Sequence, residues 1–236
     1  MYGETGRFPL QLNRKIRILK YWFKVLYSDN ILLKYSYNIL KNQCNGKKLN
    51  WVIQVKQLLE KYGFNYVWIN PFSINCNEFL SLFKQRIHDV YITEWRSLLF
   101  KSSRLYMYKE IKMEFSLEFY LKEIKDKAYR NVLSQFRCVS HNLAIETGRH
   151  GPVNVERSRR LCKYCNLQDI EDEYHFLLIC PLYRELRSKY IDSYYWKSPS
   201  MYKCISLLKM EKLSVLKNVA QYLLNAFELR KSTCYN

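Results

Sequence analysis

Four residues in one short stretch have the types and the spacing of metal ligands. Between Arg160 and Pro181, Cys162, Cys165, His175 and Cys180 follow the pattern C-x2-C-x9-H-x4-C. Two thiolates two residues apart let a tight turn present both sulfurs to one ion. A histidine and a cysteine further on complete a tetrahedron, and three sulfurs with one imidazole nitrogen form a structural zinc set. The second pair needs its own local geometry. Ile170 to Ile179 reads as a short helix with Ile170, Tyr174, Leu177 and Leu178 on an apolar side. On an α-helix, side chains five residues apart point about 140° away from each other. Pro181 resolves the conflict, because the residue before a proline is pushed out of the helical region. Cys180 is therefore expected in an extended exit that swings its sulfur back toward His175. The alternative, reduced bystander cysteines and an ordinary half-buried histidine, leaves the ligand-like spacing to coincidence. The pattern predicts one structural zinc ion. A catalytic role is not expected, since four protein ligands leave no position for water.

The composition says what such a site would serve. Apolar residues make up 48% and aromatics 16% of 236 residues, enough for a sizeable core in one domain or two small ones and too many for a disordered chain. The chain carries 39 Lys and Arg against 21 Asp and Glu, a formal charge of +18, which attracts polyanions whatever the fold. Nucleic acid and an anionic membrane face are the candidate partners. The longest apolar runs, such as Leu177 to Ile179, fall far short of a bilayer span, and Met1 to Arg17 is too polar for a signal region. No membrane partner is expected. Five of the eight cysteines lie outside the motif, namely Cys44, Cys76, Cys138, Cys204 and Cys234, without paired spacing. They read as reduced, mostly buried thiols of an intracellular protein, nuclear or cytoplasmic.

The elements that must position the ligands are helical. Asn13 to Tyr27 is amphipathic, with Ile16, Leu19, Trp22, Phe23 and Leu26 on one side and Arg14, Lys15, Arg17, Lys20 and Lys24 over the rest. A second helix is expected over Ile31 to Gln43. Asn50 caps a third that stops at Gly63. The longest runs from Asn77 to about Lys101, with Phe79, Phe83, Ile87, Val90 and Leu98 as core positions. Met107 to Ile124 and Ala128 to Cys138 follow. After the cysteines come Leu182 to Tyr194, Met201 to Lys209 and Leu213 to Arg230. No stretch alternates convincingly as a strand. The expected class is mainly α: a helical array over 1–147, then a small CCHC zinc module with trailing helices over 148–236. The boundary is drawn at Gly148 to Pro152, where two glycines and a proline interrupt the helical pattern.

Other chemistry is sparse. Arg157, Arg159, Arg160 and Lys163 crowd the entrance to the first ligand pair, where they suit phosphate contacts. They suit equally a local role, since three thiolates and one zinc ion sum to −1. Arg137, His141 and Arg149 are further candidate nucleic-acid contacts. His141 also fits a capping or core histidine, and His88 lies within a helix with no partner. Gly148-x-x-Gly151, which encloses Arg149 and His150, matches the G-x-x-G backbone clamp of KH domains, but a plain turn is the simpler reading. Asp169, Glu171, Asp172 and Glu173 sit where they complement the dipole of the short helix. Phosphate loops, His-Glu-x-x-His, Asp-Asp pairs and Gly-x-Ser-x-Gly elbows are all missing. The chain is not expected to be an enzyme.

The same residues carry a family resemblance. Phe136-Arg137, Ser140-His141, Ile145 to Arg149, Arg160-Leu-Cys-Lys-Tyr-Cys165 and Ile170 to Tyr183 resemble the cysteine-rich region at the carboxyl end of the reverse transcriptase polyprotein of LINE-type (non-LTR) retrotransposons. The opening Gly3-Glu4-Thr5-Gly6-Arg7-Phe8-Pro9-Leu10, followed by Tyr21-Trp22, is similar to the segment after the polymerase in those proteins. The resemblance is close over about fifty residues and loose over most of the chain. It implies a tail fragment without polymerase or endonuclease, whose ligands Cys162, Cys165, His175 and Cys180 hold zinc. It further implies binding to RNA or single-stranded DNA of low sequence specificity, beside a reverse transcriptase polypeptide. The alternative is a helical interaction module stapled by zinc with no nucleic-acid role of its own.

Overall fold

The computed structural model describes residues 2–43, 50–150 and 154–234, and in Cys234 the backbone alone. The fold is mainly α. Among the described residues there is no strand, only two isolated bridges, Thr5 with Leu117 and Leu161 with Ile170. The chain forms two compact units: Phe8–Ser97, and Met1–Arg7 together with Leu98–Asn236. The short helix α1 (Tyr2–Thr5) thus belongs with the carboxyl-terminal unit.

The inserted unit is built from α2 (Leu10–Leu26), α3 (Ile31–Asn42), α4 (Trp51–Lys61), α5 (Asn65–Ile69) and α6 (Cys76–Lys101). The helix starts follow local chemistry. Pro9 precedes α2 with its φ of −57° already set for a helix entry, so α2 begins earlier than the apolar pattern alone implies. Asn30 and Asn50 cap α3 and α4, accepting from the Leu33 and Ile53 amides. Gly63, at a φ of +81°, ends the α4 region as expected. Inside, the Trp22 ring stacks on Trp68 and its Nε1 donates to the Tyr37 hydroxyl at 3.1 Å. Phe64, Phe79 and Phe83 fill the space below. His88 is not without a partner: its ring stacks on Phe8 at 3.8 Å. Leu98, expected in the core, is 69% exposed, while Leu99 is buried. The unit boundary at Ser97 explains the shift, because the face that buries Phe79, Phe83 and Ile87 is not the face buried beyond it.

The second unit contains α7 (Tyr106–Ile111), α8 (Phe119–Glu123), α9 (Lys127–Arg137), α10 (Ala144–His150), α11 (Arg184–Tyr190), α12 (Ser193–Trp196), α13 (Met201–Leu208) and α14 (Leu213–Cys234). The single helix expected over Met107 to Ile124 is two, because residues 112–118 serve an electrostatic purpose. Lys112 is 3% exposed and pairs with Glu118, whose other oxygen pairs with Arg137. Arg137 also pairs with Glu4 at 3.2 Å, and the Tyr120 hydroxyl donates to Glu4. Two cations and two carboxylates close a neutral cluster. Gly6 lets this happen: at a φ of +60°, a Cβ there would lie 2.7 Å from the Leu117 nitrogen. Around the cluster, α14 packs along α9 and α11, with Phe136, Phe176, Tyr183 and Tyr222 at the centre.

The break expected at 148–152 falls inside this unit. Gly148 and Arg149 lie in α10, not in a plain turn, and the Arg160 side chain packs where a Gly148 Cβ would stand. Gly151 and Pro152 lie outside the described residues. The cysteine segment and the helices before it share one apolar core.

Candidate metal centre

The stretch that holds the four ligands is folded in two pieces. Residues 161–170 form a closed loop: Cys162 N–H donates to Asp169 O at 2.8 Å and Glu171 N–H to Arg160 O at 2.9 Å. Gln168 takes a left-handed φ of 56° to fit the turn. The second piece, His175–Ile179, is wound with the wider π spacing, in which Cys180 N–H donates to His175 O at 2.8 Å. Cys180 itself is extended, at φ −52° and ψ 124°, ahead of Pro181. The exit anticipated from Pro181 is present. The π winding is an addition that reduces the angular gap between His175 and Cys180.

These two pieces bring the sulfurs of Cys162, Cys165 and Cys180 and a nitrogen of His175 within 4.8 Å of one another, a group that can hold a metal ion. Cys162 Sγ lies 3.9 Å from Cys180 Sγ, and Cys165 Sγ lies 3.4 Å from His175 Nε2. A disulfide requires about 2.05 Å, so the sulfurs converge without bonding to one another. Cys162, His175 and Cys180 are buried and Cys165 is half-buried. The donors lie close enough to share protons. The hydrogen bond from the Cys180 thiol holds Cys162 down at about 4, and the same bond with burial pushes Cys180 far above an ordinary thiol. Burial also raises Cys165. A divalent cation relieves this crowding by replacing the shared protons.

The surroundings orient the ligands. Asp172 accepts from the His175 amide at 2.9 Å, capping the turn. Asp169 Oδ2 lies 3.6 Å from His175 Nδ1, and Nε2 on the other side of the ring faces Cys165 Sγ. Arg187 donates to Leu177 O and Cys180 O, both at 2.9 Å, satisfying carbonyls that the end of the turn leaves open. The acidic residues expected to complement a helix dipole are instead individually engaged. Glu171 holds Arg230 through two bonds of 2.9 Å and accepts from the Ala144 amide, and Glu173 pairs with His141 at 3.1 Å. Arg187 and Arg230 were not singled out by the sequence. Arg230 stands 59 residues from its partner, where no local spacing points to it.

The seven cationic or histidine candidates for nucleic acid divide. Arg137 is 3% exposed inside the ion cluster, and the side chain of His141 is 2% exposed against Glu173. Arg160 is buried, donating to Ile145 O, Val155 O and Asn154 Oδ1. These three cannot reach a phosphate, and their assignment as nucleic-acid contacts is corrected: each spends its donors on the protein. Arg149 is tied to Glu146 at 2.9 Å. Arg157, Arg159 and Lys163 remain exposed, Arg157 over the Tyr106 ring. Of the other cysteines, Cys76, Cys138 and Cys204 are free thiols, Cys204 fully buried. Cys44 and the Cys234 side chain lie outside the described residues. No helix among the described residues is long and apolar enough to cross a membrane. Compared with protein-family models, with curated proteins and with solved structures, the chain matches none.

Proposed function

We propose that this chain is a non-enzymatic, zinc-stapled nucleic-acid-binding protein, the tail of a LINE-type reverse transcriptase polyprotein. The observation that carries the reading is the convergence of Cys162, Cys165, His175 and Cys180 in a chain of net charge +18. Two of the six ligand–ligand separations can be set against a zinc tetrahedron. A tetrahedron with metal–sulfur and metal–nitrogen bonds of about 2.3 and about 2.0 Å has sulfur–sulfur and sulfur–nitrogen edges of about 3.8 and about 3.6 Å. The separations of 3.9 and 3.4 Å suit those edges. Three thiolates favour zinc over the oxygen-seeking cations. With every ligand supplied by the protein, the ion's role is to hold the loop of residues 161–170 against the π turn. RNA or single-stranded DNA is the partner, bound largely without sequence preference through exposed cations.

One observation favours a second reading, a helical interaction module with the same staple and no nucleic-acid role. Arg137, His141 and Arg160 turn inward, which removes two charges and an imidazole from the surface around the motif. The two readings part on salt. Purified chain, confirmed by metal analysis to hold one zinc, is titrated with single-stranded RNA at increasing ionic strength. Phosphate-driven binding weakens steeply with salt. Weak binding that is flat with salt sinks the first reading and leaves the second.

A further inference from the structure

The exposed charge is concentrated away from the motif. Residues 8–28 contain five Lys and Arg and no Asp or Glu. On α2, Arg14, Arg17, Lys20 and Lys24 are all exposed, and none has an ion-pair or hydrogen-bond partner among the described residues. At helical spacing these four fall on one side, opposite the buried Leu12, Leu19 and Phe23. The fifth cation, Lys15, is set apart: it donates to the Tyr62 hydroxyl at 2.8 Å and lies over that ring. A solvated protein surface ordinarily mixes the two signs, and this helix does not.

An aromatic ring stands within the stripe. Tyr21 is 50% exposed, one turn from Arg17 and Lys24, and its ring lies 5.4 Å from that of Trp51. Trp51 is held in turn against Tyr37, which is 7% exposed. The exposed tyrosine is therefore braced from behind. Cations in a row with a braced aromatic among them are what an unpaired strand requires. Phosphates take the charges, and a base, which no longer has a stacking neighbour fixed by a duplex, takes the ring. The metal centre differs in sign: Arg157 lies over the exposed Tyr106 ring, but Arg157, Arg159 and Lys163 stand among the carboxylates Glu156 and Asp169, also exposed.

We infer that α2 is the principal binding surface for single-stranded nucleic acid, with Arg14, Arg17, Lys20 and Lys24 on the phosphates and Tyr21, backed by Trp51, stacking on a base. The inference rests on the nucleic-acid reading above and moves its site to the unit without the metal. It separates binding from the staple.

The test uses the full zinc-loaded chain and a fluorescent single-stranded RNA of mixed sequence, with affinity read by anisotropy across a salt series. For the variant Arg14→Ala, Arg17→Ala, Lys20→Ala and Lys24→Ala, the slope of log affinity against log salt should fall by about 3, at roughly 0.7 per phosphate released. Tyr21→Ala should lose about tenfold at every salt, and Tyr21→Trp should restore it. The variant Arg157→Ala, Arg159→Ala and Lys163→Ala should leave most of the slope. Helical circular dichroism checks that each variant is folded, and the tyrosine pair stands if the quadruple variant is not. Wild-type binding that survives the α2 changes and is lost in the Arg157, Arg159 and Lys163 variant overturns the inference and spares the function. Wild-type chain with no salt-dependent RNA binding overturns the function itself. Phosphatidylserine vesicles that bind α2 and displace RNA at lower concentration than they bind the variant would make the surface a membrane face and also overturn the inference.

Discussion

The two units are equally rich in surplus positive charge but use it in opposite ways. Residues 8–97 carry 14 Lys and Arg against 5 Asp and Glu, and the remainder carries 25 against 16. Among the described residues, every buried charged or strongly polar side chain lies in the second unit: Glu4, Lys112, Arg137, Glu146, Arg160, Glu171, Glu173, His175 and Arg187. The described residues of the inserted unit bury no charged side chain, and its core is aliphatic and aromatic with the Trp22–Tyr37 hydrogen bond inside it. One unit therefore keeps its cations for solvent, and the other consumes many of them to hold itself together. The joint density of Lys and Arg barely separates the units; the carboxylate density differs about twofold, and an arginine is drawn inside where acids wait to pair with it.

The contrast can be broken first at the metal. His175→Ala or Cys162→Ser should lose the bound ion and destabilise the second unit by several kcal/mol, since a structural ion's binding energy is folding energy. Metal analysis with calorimetry reads both, and a variant that keeps its thermal transition unchanged removes the staple from the account. Next is Arg137→Ala, which strands the buried Glu4, leaves Glu118 with Lys112 alone and should cost about 3–5 kcal/mol in chemical denaturation. Arg17→Ala, the same change on the exposed face of α2, should stay within about 0.5 kcal/mol. Equal costs for the two arginines would erase the distinction between the units.

The smallest effect is a pH dependence in the inserted unit. Burial against Phe8 is the first cause that lowers the His88 pKa below its ordinary value. The unfolded chain then holds the proton more tightly than the folded one. Stability from this group is complete above about 6.5 and is lost progressively as pH falls below it. His88→Phe should flatten that dependence in acid, measured as the change in denaturation midpoint between neutral and mildly acidic buffer.

How much of this was legible in the sequence follows the range of the interactions. Helix starts at Asn30 and Asn50 and the stop at Gly63 are decided by neighbours in the chain, and they were read correctly. The convergence of Cys162, Cys165, His175 and Cys180 was legible because two short spacings and Pro181 fix it locally. The fate of Arg137, His141 and Arg160 was not legible, since a buried arginine and a phosphate-binding one look alike until the partner carboxylate is placed. The helix expected over Met107 to Ile124 failed for the same reason: its apolar spacing is genuine, but the Glu4 carbonyl, more than a hundred residues earlier, takes the Glu118 amide, and Thr5 bridges to Leu117.

The position of Glu4 also dictates the order of assembly. Its bonds to Tyr120 and Arg137 span 116 and 133 residues, the entire inserted unit lying between. Closing so long a flexible loop is entropically unfavourable and slow. Synthesis releases Glu4 before either partner, so its carboxylate can dock only after Tyr120 and Arg137 have emerged. Collapse of residues 8–97 in the meantime shortens the free chain that must be closed. The insertion then acts as a spacer whose own compaction shortens the loop that the Glu4 contacts must close.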